Sequence, residues 1–353
     1  MVSLPDHGGG LVGRPPVDPQ TVKMLGLLAC CSERWQDVYL ELFIYPRDFF
    51  SIFPASFPLL RSITLSSARA SRSLGSSNVR VPWDVPLLRA ISINRHIMNY
   101  LDLPLGQVTY FSLISNAEPG ECLDALRLLS CLESCVFTCV TSRLRPATHA
   151  AVTSRSLKSF GVEFNPIRAS LALPALLDHL TCPSLQALCL CIGPAGIFAH
   201  ASLTSFLLRS ACPLTRLSFS GIKLTSAELV QCLAAVPSLT DLELEKMELP
   251  DNTLDDLDLS SHPSPALLPS LQSFSYKGPS QLDFPALMAM VSSRQPSGTD
   301  RGDEVGGRVA RLKSILVDVK ESSSSIELNS LVMLGITQLR SEGVNIEILI
   351  PSS

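Results

Sequence analysis

The stretch Pro237-Ser238-Leu239-Thr240-Asp241-Leu242-Glu243-Leu244 has leucine at its third, sixth and eighth positions. Successive side chains of a β-strand point to opposite faces, so Leu242 and Leu244 share one face and the acidic residue between them points the other way. Leu239 adds a third apolar residue just before the strand. The stretch therefore predicts a short strand with one buried face and one polar face.

The same order of apolar, two variable, apolar, variable and apolar residues recurs along nearly the whole chain. Its ten copies begin at Leu60, Leu88, Val108, Leu132, Leu157, Leu185, Leu214, Leu239, Leu271 and Leu312. Most copies start 20 to 32 residues after the previous one, and the last interval is 41 residues. Repeats of roughly 20 to 29 residues with this strand pattern are typical of leucine-rich repeats. Crossovers between consecutive strands require that the strands run parallel.

These repeats predict an α/β fold, namely a leucine-rich-repeat solenoid, or horseshoe. Its parallel strands would line the concave face, and helices or irregular turns would form the convex face. The clearest helix spans residues 224–236, where Thr225 and Glu228 have the spacing of a capping box. Other helices are predicted at 121–130, 174–180, 200–211, 284–293 and 326–341, and a terminal strand at 344–350.

The domain organisation follows from where the periodicity begins and where it is interrupted. Residues 1–21 are rich in glycine and proline without periodicity, so we expect a disordered segment. Residues 22–353 form one irregular leucine-rich-repeat domain, which starts with a cap made of 22–31 followed by 35–42. Residues 295–310 are predicted to be a flexible insertion that lengthens the last interval.

Composition excludes several classes of partner. The net charge is −4 with no basic run, so the electrostatic footprint needed for nucleic-acid binding is missing. No run of about 18 to 20 apolar residues is long enough to span a membrane. The 11 cysteines are odd in number and lack the spacing of a disulfide framework. We therefore expect a soluble intracellular protein, cytoplasmic or nuclear, that binds neither nucleic acid nor a membrane.

Three patterns suggest cofactor, metal or catalytic chemistry, but each lacks its context. The glycines of residues 8–13 fit G-x-G-x-x-G, yet Pro15 stands where a helix is needed. Evenly spaced cysteines follow Cys122 without the C-x2-4-C pairs of structural zinc sites; they are Cys131, Cys135 and Cys139. Asp178 and His179 lie near no nucleophile elbow. We predict no enzymatic activity, no cofactor and no metal site.

The polar face of the strands supplies the candidate binding residues. With the leucines of the Leu239 copy facing the core, three carboxylates project together on the concave face. The repeat register places Arg216 on the preceding strand and Lys277 on the following one. The candidate partner-binding residues are Asp241, Glu243, Glu245, Glu163, Arg216 and Lys277. One hypothesis is that the acidic residues receive a basic element of a protein partner; the alternative is that the two cations neutralise an ordinary solvated face.

Four segments resemble a known family. They are Ser32–Val38, Pro58–Ser62, Leu207–Leu214 and Pro237–Leu244, which look like the repeat portion of fungal F-box-like proteins. The resemblance covers about residues 22–353. In that family an F-box docks on the adaptor of a cullin-RING ubiquitin ligase, and the repeats hold the protein to be ubiquitinated. No F-box is found before Val22, so the resemblance implies a substrate-recognition module represented by its repeats.

Three functions therefore stay open. The first is a non-enzymatic protein-interaction scaffold of unknown partner, related to F-box ubiquitin ligase receptors. The second is a truncated or decayed paralogue without ligase contact. The third is an enzyme on the same scaffold, which would need a deep pocket with converging polar groups.

Overall fold

The computed structural model describes most of the chain in thirteen pieces. They are residues 19–42, 52–53, 56–67, 81–94, 101–114, 117–142, 149–193, 197–249, 252–260, 266–278, 282–295, 309–319 and 330–349. Within these residues the secondary structure is mixed α/β, which confirms the predicted class. The glycines of residues 8–13, and residues 296–308 of the predicted insertion, lie outside the described residues.

Twelve of the described strands form one parallel sheet. The strands are β1 Asp37–Leu42, β2 Ser62–Ser67, β3 Val81–Pro82, β4 Ala90–Asn94, β5 Leu101–Asp102, β6 Tyr110–Ile114, β7 Ser134–Val140, β8 Val152–Thr153, β9 Ser159–Phe164, β10 Leu180–Thr181, β11 Ala187–Ile192, β12 Arg216–Ser220, β13 Asp241–Glu245, β14 Ser273–Gly278, β15 Ser314–Val319 and β16 Asn345–Leu349. In the sheet each strand pairs with the next one along the chain, while β3 pairs β5 and β8 pairs β10 in two short sheets. The twelve strands therefore lie side by side in the same order as they follow one another along the chain.

Helices alternate with the strands over most of the described chain. They are α1 Pro19–Ala29, α2 Pro119–Leu128, α3 Ala169–Leu177, α4 His200–Ser210, α5 Ser226–Ala234, α6 Thr253–Leu257, α7 Phe284–Ser293 and α8 Ser330–Ser341. From α2 onward, each helix contacts the next one. None of the helices in the described residues has the length and apolarity needed to cross a bilayer.

The apolar residues of the repeated pattern form the core. All three apolar positions of all ten predicted copies are at most 2% exposed. The ring of Phe137 on β7 lies between Phe111 on β6 and Phe160 on β9, with centroid separations of 6.4 and 5.9 Å in edge-on geometry. The prediction of which side chains point inward is confirmed for every copy.

Both ends of the sheet differ in detail from the prediction. Helix α1 begins at Pro19, inside the segment 1–21 that was expected to be disordered, because proline at the first helical position is already set for the helical φ. The cap segment 35–42 contains a further strand, β1, which pairs with β2. At the other end, β16 lies within the predicted terminal strand and pairs with β15.

Helix boundaries follow local capping where the sequence encodes it clearly. The Thr225 hydroxyl accepts a hydrogen bond from the Glu228 backbone N–H at 3.3 Å, and the Glu228 carboxylate accepts one from the Thr225 N–H at 2.8 Å, so the predicted capping box is confirmed. The predicted helix at 174–180 was wrong in its bounds. Helix α3 instead begins at Ala169 and has Pro174 in its interior, so the proline interrupts one helical hydrogen bond without ending the helix.

Candidate functional site

The side chains on one face of the sheet are buried in the core, and those on the other face are partly exposed. In β13 the burial alternates, with Leu242 and Leu244 buried and the acidic residues partly exposed. The partly exposed side chains of the twelve strands define what we call the outer face. Binding through the side chains of the sheet would use this face.

The strand register brings the predicted acidic residues together with their neighbours. Asp241, Glu243 and Glu245 follow one another on β13, and we call them the acidic row. On β12 their direct partners are Arg216, Ser218 and Ser220. On β14 their partners are Ser273, Ser275 and Lys277. The alignment predicted from the repeats is thus confirmed residue by residue.

Lys277 binds the acidic row diagonally. Its Nζ lies 2.8 Å from Glu243 Oε1, although its direct neighbour in register is Glu245. This hydrogen bond lowers the pKa of the Glu243 carboxyl, and it raises the pKa of Lys277. Glu245 contacts Lys246 at 3.5 Å, and Asp241 accepts a hydrogen bond from the Thr240 hydroxyl at 2.6 Å. Part of the negative charge is therefore already compensated within the protein.

We expect the Lys277→Met substitution to raise the pKa of Glu243 toward its ordinary value. Because the folded-state pKa of Glu243 is lowered, the pair stabilises the protein above the ordinary glutamate pKa of about 4.3, and this contribution is lost as the pH falls through the lowered value. Both side chains are partly exposed, so the loss in unfolding free energy at neutral pH should be only a few tenths of a kcal/mol. NMR titration of the Glu243 side chain measures the shift.

The matched control is Lys246→Met, which removes a cation from the neighbouring carboxylate instead. It should leave the titration of Glu243 unchanged. Urea unfolding of the wild-type and Lys277→Met proteins should differ at pH 7 and converge at about pH 2.5, where the carboxylates are protonated. An unshifted Glu243 titration in Lys277→Met would show that the pair does not form.

Glu163, the remaining acidic residue among the predicted binding residues, lies apart from the acidic row. In register it aligns with Cys191, then Ser220, then Glu245, so two strands separate it from β13. At about 4.8 Å per strand, its backbone is about 14 Å from that of Glu245. Glu163 therefore belongs to a different part of the outer face.

That part is a depression of about 380 Å³ across β7, β9, β11 and β12. Gly161 lies near its middle, and Glu163 and Arg216 are among its lining residues. Its other outer-face residues are Val136, Thr138, Ser159, Ala187, Cys189, Cys191 and Ser218. The depression was not anticipated, since it arises from small residues on neighbouring strands. A glycine inside a strand was the one signal that could have indicated it.

The residues considered for metal or catalytic chemistry are divided between the core and the surface. Cys135 is buried in the core, where desolvation raises the pKa of its thiol well above the usual value, whereas Cys131 is exposed. Within the described residues no group of three or more histidine, cysteine or acidic side chains could hold a metal ion. His179 Nδ1 lies 3.2 Å from the Ala175 carbonyl, and its ring packs edge-on against His149.

Comparison with known proteins adds no relative. No protein-family model matches the chain, and no curated protein matches it. The arguments about function therefore depend on the outer face, where the acidic row, two cations and the depression lie side by side. Such a surface can offer charge and shape to another macromolecule.

Proposed function

We propose that the chain is a leucine-rich-repeat solenoid that acts as a non-enzymatic scaffold and binds a protein partner through its outer face. The observation that carries the proposal is the row of three carboxylates on β13, which the strand register places between Arg216 on β12 and Lys277 on β14. The finer description of the fold, a horseshoe with the strands on its concave face, is part of this proposal.

Sheet order supports the solenoid. Each strand pairs with the next along the chain, and from α2 onward each helix contacts the next, as expected when every repeat touches only its neighbours. A doubly wound sheet reverses its strand order at a switch point, which this sheet does not do within the described residues. A closed barrel would pair the first strand with the last, whereas β1 and β16 are the two ends of the sheet order.

The charges of the outer face favour a basic partner. Arg216 and Lys277 lie beside the three carboxylates of the acidic row in register, and Lys246 contacts Glu245. Partly exposed ion pairs such as the one between Lys277 and Glu243 are worth about 0 to 1 kcal/mol, so a partner can replace them at little cost. Complementary charge accelerates encounter and orients docking.

The resemblance of the repeats to fungal F-box-like proteins supports a narrower version of the proposal. In that version the outer face holds a protein to be ubiquitinated, and the chain is a substrate receptor of a cullin-RING ubiquitin ligase. Recovery of the ligase adaptor with the purified chain would support the receptor, and partners without an adaptor would support a scaffold alone. Recovery of no partner at all would favour the decayed paralogue.

We expect that replacing Asp241, Glu243 and Glu245 together with serine weakens partner binding about tenfold or more, because three charges of the docking surface are lost. The measurement is quantitative mass spectrometry of proteins that copurify with the tagged chain from native cells. Capture by the wild-type chain should also fall as the salt concentration rises, since exposed charges are screened.

A matched control carries the same change of charge elsewhere. Asp124, Asp178 and Glu342 are exposed and lie on or next to helices, so their triple serine variant should retain the partners. Equal retention by both triple variants would reject the acidic row as the binding surface. Equal loss in both would show a general effect of net charge and would also contradict the proposal.

A further inference from the structure

The depression on the outer face has a floor of small residues. Gly161 has no side chain, and its neighbours in register are Val136 on β7 and Cys189 on β11. Ala187 and Ser159 continue the floor toward the start of the strands. At about 380 Å³, the volume is at the lower end of the range for ligand pockets, so it suits one or two side chains rather than a large ligand.

The chemistry of the floor is mostly apolar. Val136 and Ala187 contribute hydrocarbon, and desolvation raises the pKa of the Cys189 and Cys191 thiols, which therefore stay neutral at physiological pH. A neutral thiol behaves as a small apolar group. The floor thus favours an apolar occupant over a charged one.

The rim of the depression carries unequal charges. Glu163 is exposed and forms no ion pair with any residue in the part of the chain that the structure describes. Arg216 is exposed on the opposite side and has Asp241 as its direct neighbour, and its charge helps to lower the pKa of Glu243. Among the described residues, the rim carboxylate that forms no ion pair is therefore that of Glu163, and a basic group complements it.

We propose that the depression around Gly161 receives one large apolar side chain of the protein partner, while Glu163 binds a lysine or arginine next to it in the partner's sequence. This inference rests on the proposed function and adds the local composition of the docking segment. It also gives the outer face a second contact beside the acidic row: Gly161 lies three strands from β13, and Arg216 on β12 lines the boundary between the two.

Gly161→Phe fills the depression from its floor. A Cβ at this position would lie 3.5 Å from Val136 Cγ2, an ordinary van der Waals contact, so the strand can accept a side chain. Ala187→Phe fills the same space from β11 and serves as a second variant in case the first does not fold. The matched control is Ser314→Phe, which places the same ring on the outer face of β15, outside the depression.

The probe is a library of random twelve-residue peptides displayed on phage and selected on the wild-type chain. We expect the selected peptides to share a large apolar residue next to lysine or arginine. The dissociation constant of the best peptide should rise about tenfold or more on Gly161→Phe and Ala187→Phe, the effect of excluding one buried apolar side chain. It should change less than about twofold on Ser314→Phe.

Several outcomes would overturn the inference. These are the absence of any selected peptide, selected peptides without the apolar residue, or unchanged affinity on whichever of the two filling variants retains the wild-type circular dichroism spectrum. Weaker binding to the serine variant of the acidic row, with unchanged affinity on Gly161→Phe, would reject the depression as a binding site and leave the proposed function standing. Weaker binding to Gly161→Phe, with unchanged binding to the serine variant, would support the depression as a binding site and count against the acidic row.

Discussion

Replacing Phe137 with alanine is expected to lower the free energy of unfolding by about 3 to 5 kcal/mol, the usual range for a buried phenylalanine. The side chain is fully buried. Its ring packs edge-on against Phe111 on one side and Phe160 on the other. The cavity would therefore remove contacts from three consecutive strands of the sheet at once, β6, β7 and β9.

Urea unfolding followed by circular dichroism measures this loss. The control is Tyr110→Ala on β6, whose aromatic side chain is 39% exposed on the outer face, and it should cost less than about 1 kcal/mol. Similar losses for the two variants would contradict the assignment of the core face.

Hydrogen exchange of the Phe137→Ala protein tests whether the loss of stability stays close to the substituted strand, as the proposed solenoid requires. Repeats that contact only their neighbours should lose protection in β6, β7 and β9 and keep it in β14 and β15. A uniform loss of protection along the sheet would instead indicate a single cooperative core. That result would count against the solenoid and leave the α/β class untouched.

The sheet could be predicted from the sequence because each copy of the pattern buries three apolar residues at the same spacing, two of them on a strand. Leu214, Leu239 and Leu271 each open such a frame, and aligning the frames also aligns the residues between them. The pairing of Arg216 with Asp241 follows from that alignment without any knowledge of the structure. Both core and outer face were therefore readable from one pattern.

The ends and the helices were harder to predict, because there the physical signals are weaker or conflict. Trp35 just before β1, and Val38 and Leu40 within it, fit the same frame, but all three are only partly buried, and the segment was interpreted as a cap. The interior Pro174 of α3 conflicts with the rule that proline begins or ends a helix, and packing of Leu173 and Leu176 in the core outweighs that local preference.

The candidate site could be predicted only where it depends on one strand and its neighbours. The acidic row lies on one strand, so the residues beside it on the two adjacent strands could be predicted by aligning the copies of the pattern. The position of Glu163 depends on how many strands lie between it and β13, and the depression depends on four strands together. A sequence pattern records the direction of each side chain, and it does not record the volume left between small ones.

Replacing Arg294 with methionine is the second change with a large expected effect, about 3 kcal/mol or more of unfolding free energy. Arg294 is 3% exposed, and its guanidinium donates four hydrogen bonds to backbone carbonyls at the end of α6 and in the segment before β14. Its Nε and Nη2 bind the Leu257 carbonyl at 3.1 and 2.8 Å, Nη2 also binds that of Leu267 at 2.8 Å, and Nη1 binds that of Leu268 at 2.9 Å.

Arg294 keeps its charge at neutral pH even though burial lowers its pKa to about 10. Methionine would retain the apolar contacts of the side chain but leave the buried carbonyls of Leu257 and Leu268 and the partly buried carbonyl of Leu267 without this donor. Each unsatisfied buried group costs about 1 to 3 kcal/mol before water and relaxation compensate. The loss should be concentrated between α6 and β14, because the bound carbonyls belong to that connection. The role of this arginine could not be predicted from the sequence, since the four hydrogen bonds that its guanidinium donates all go to main-chain atoms.

Three variants distinguish the effect of the guanidinium's hydrogen bonds from the effect of its positive charge. Arg294→Lys keeps the positive charge but cannot reach three carbonyls with one ammonium group, so urea unfolding should place it between the wild-type protein and Arg294→Met. Arg61→Met removes an exposed arginine and should change the unfolding free energy by less than about 0.5 kcal/mol. If Arg294→Lys were as stable as the wild-type protein, the charge alone would account for the effect, and the four directed hydrogen bonds would not be what holds the connection between α6 and β14 in place.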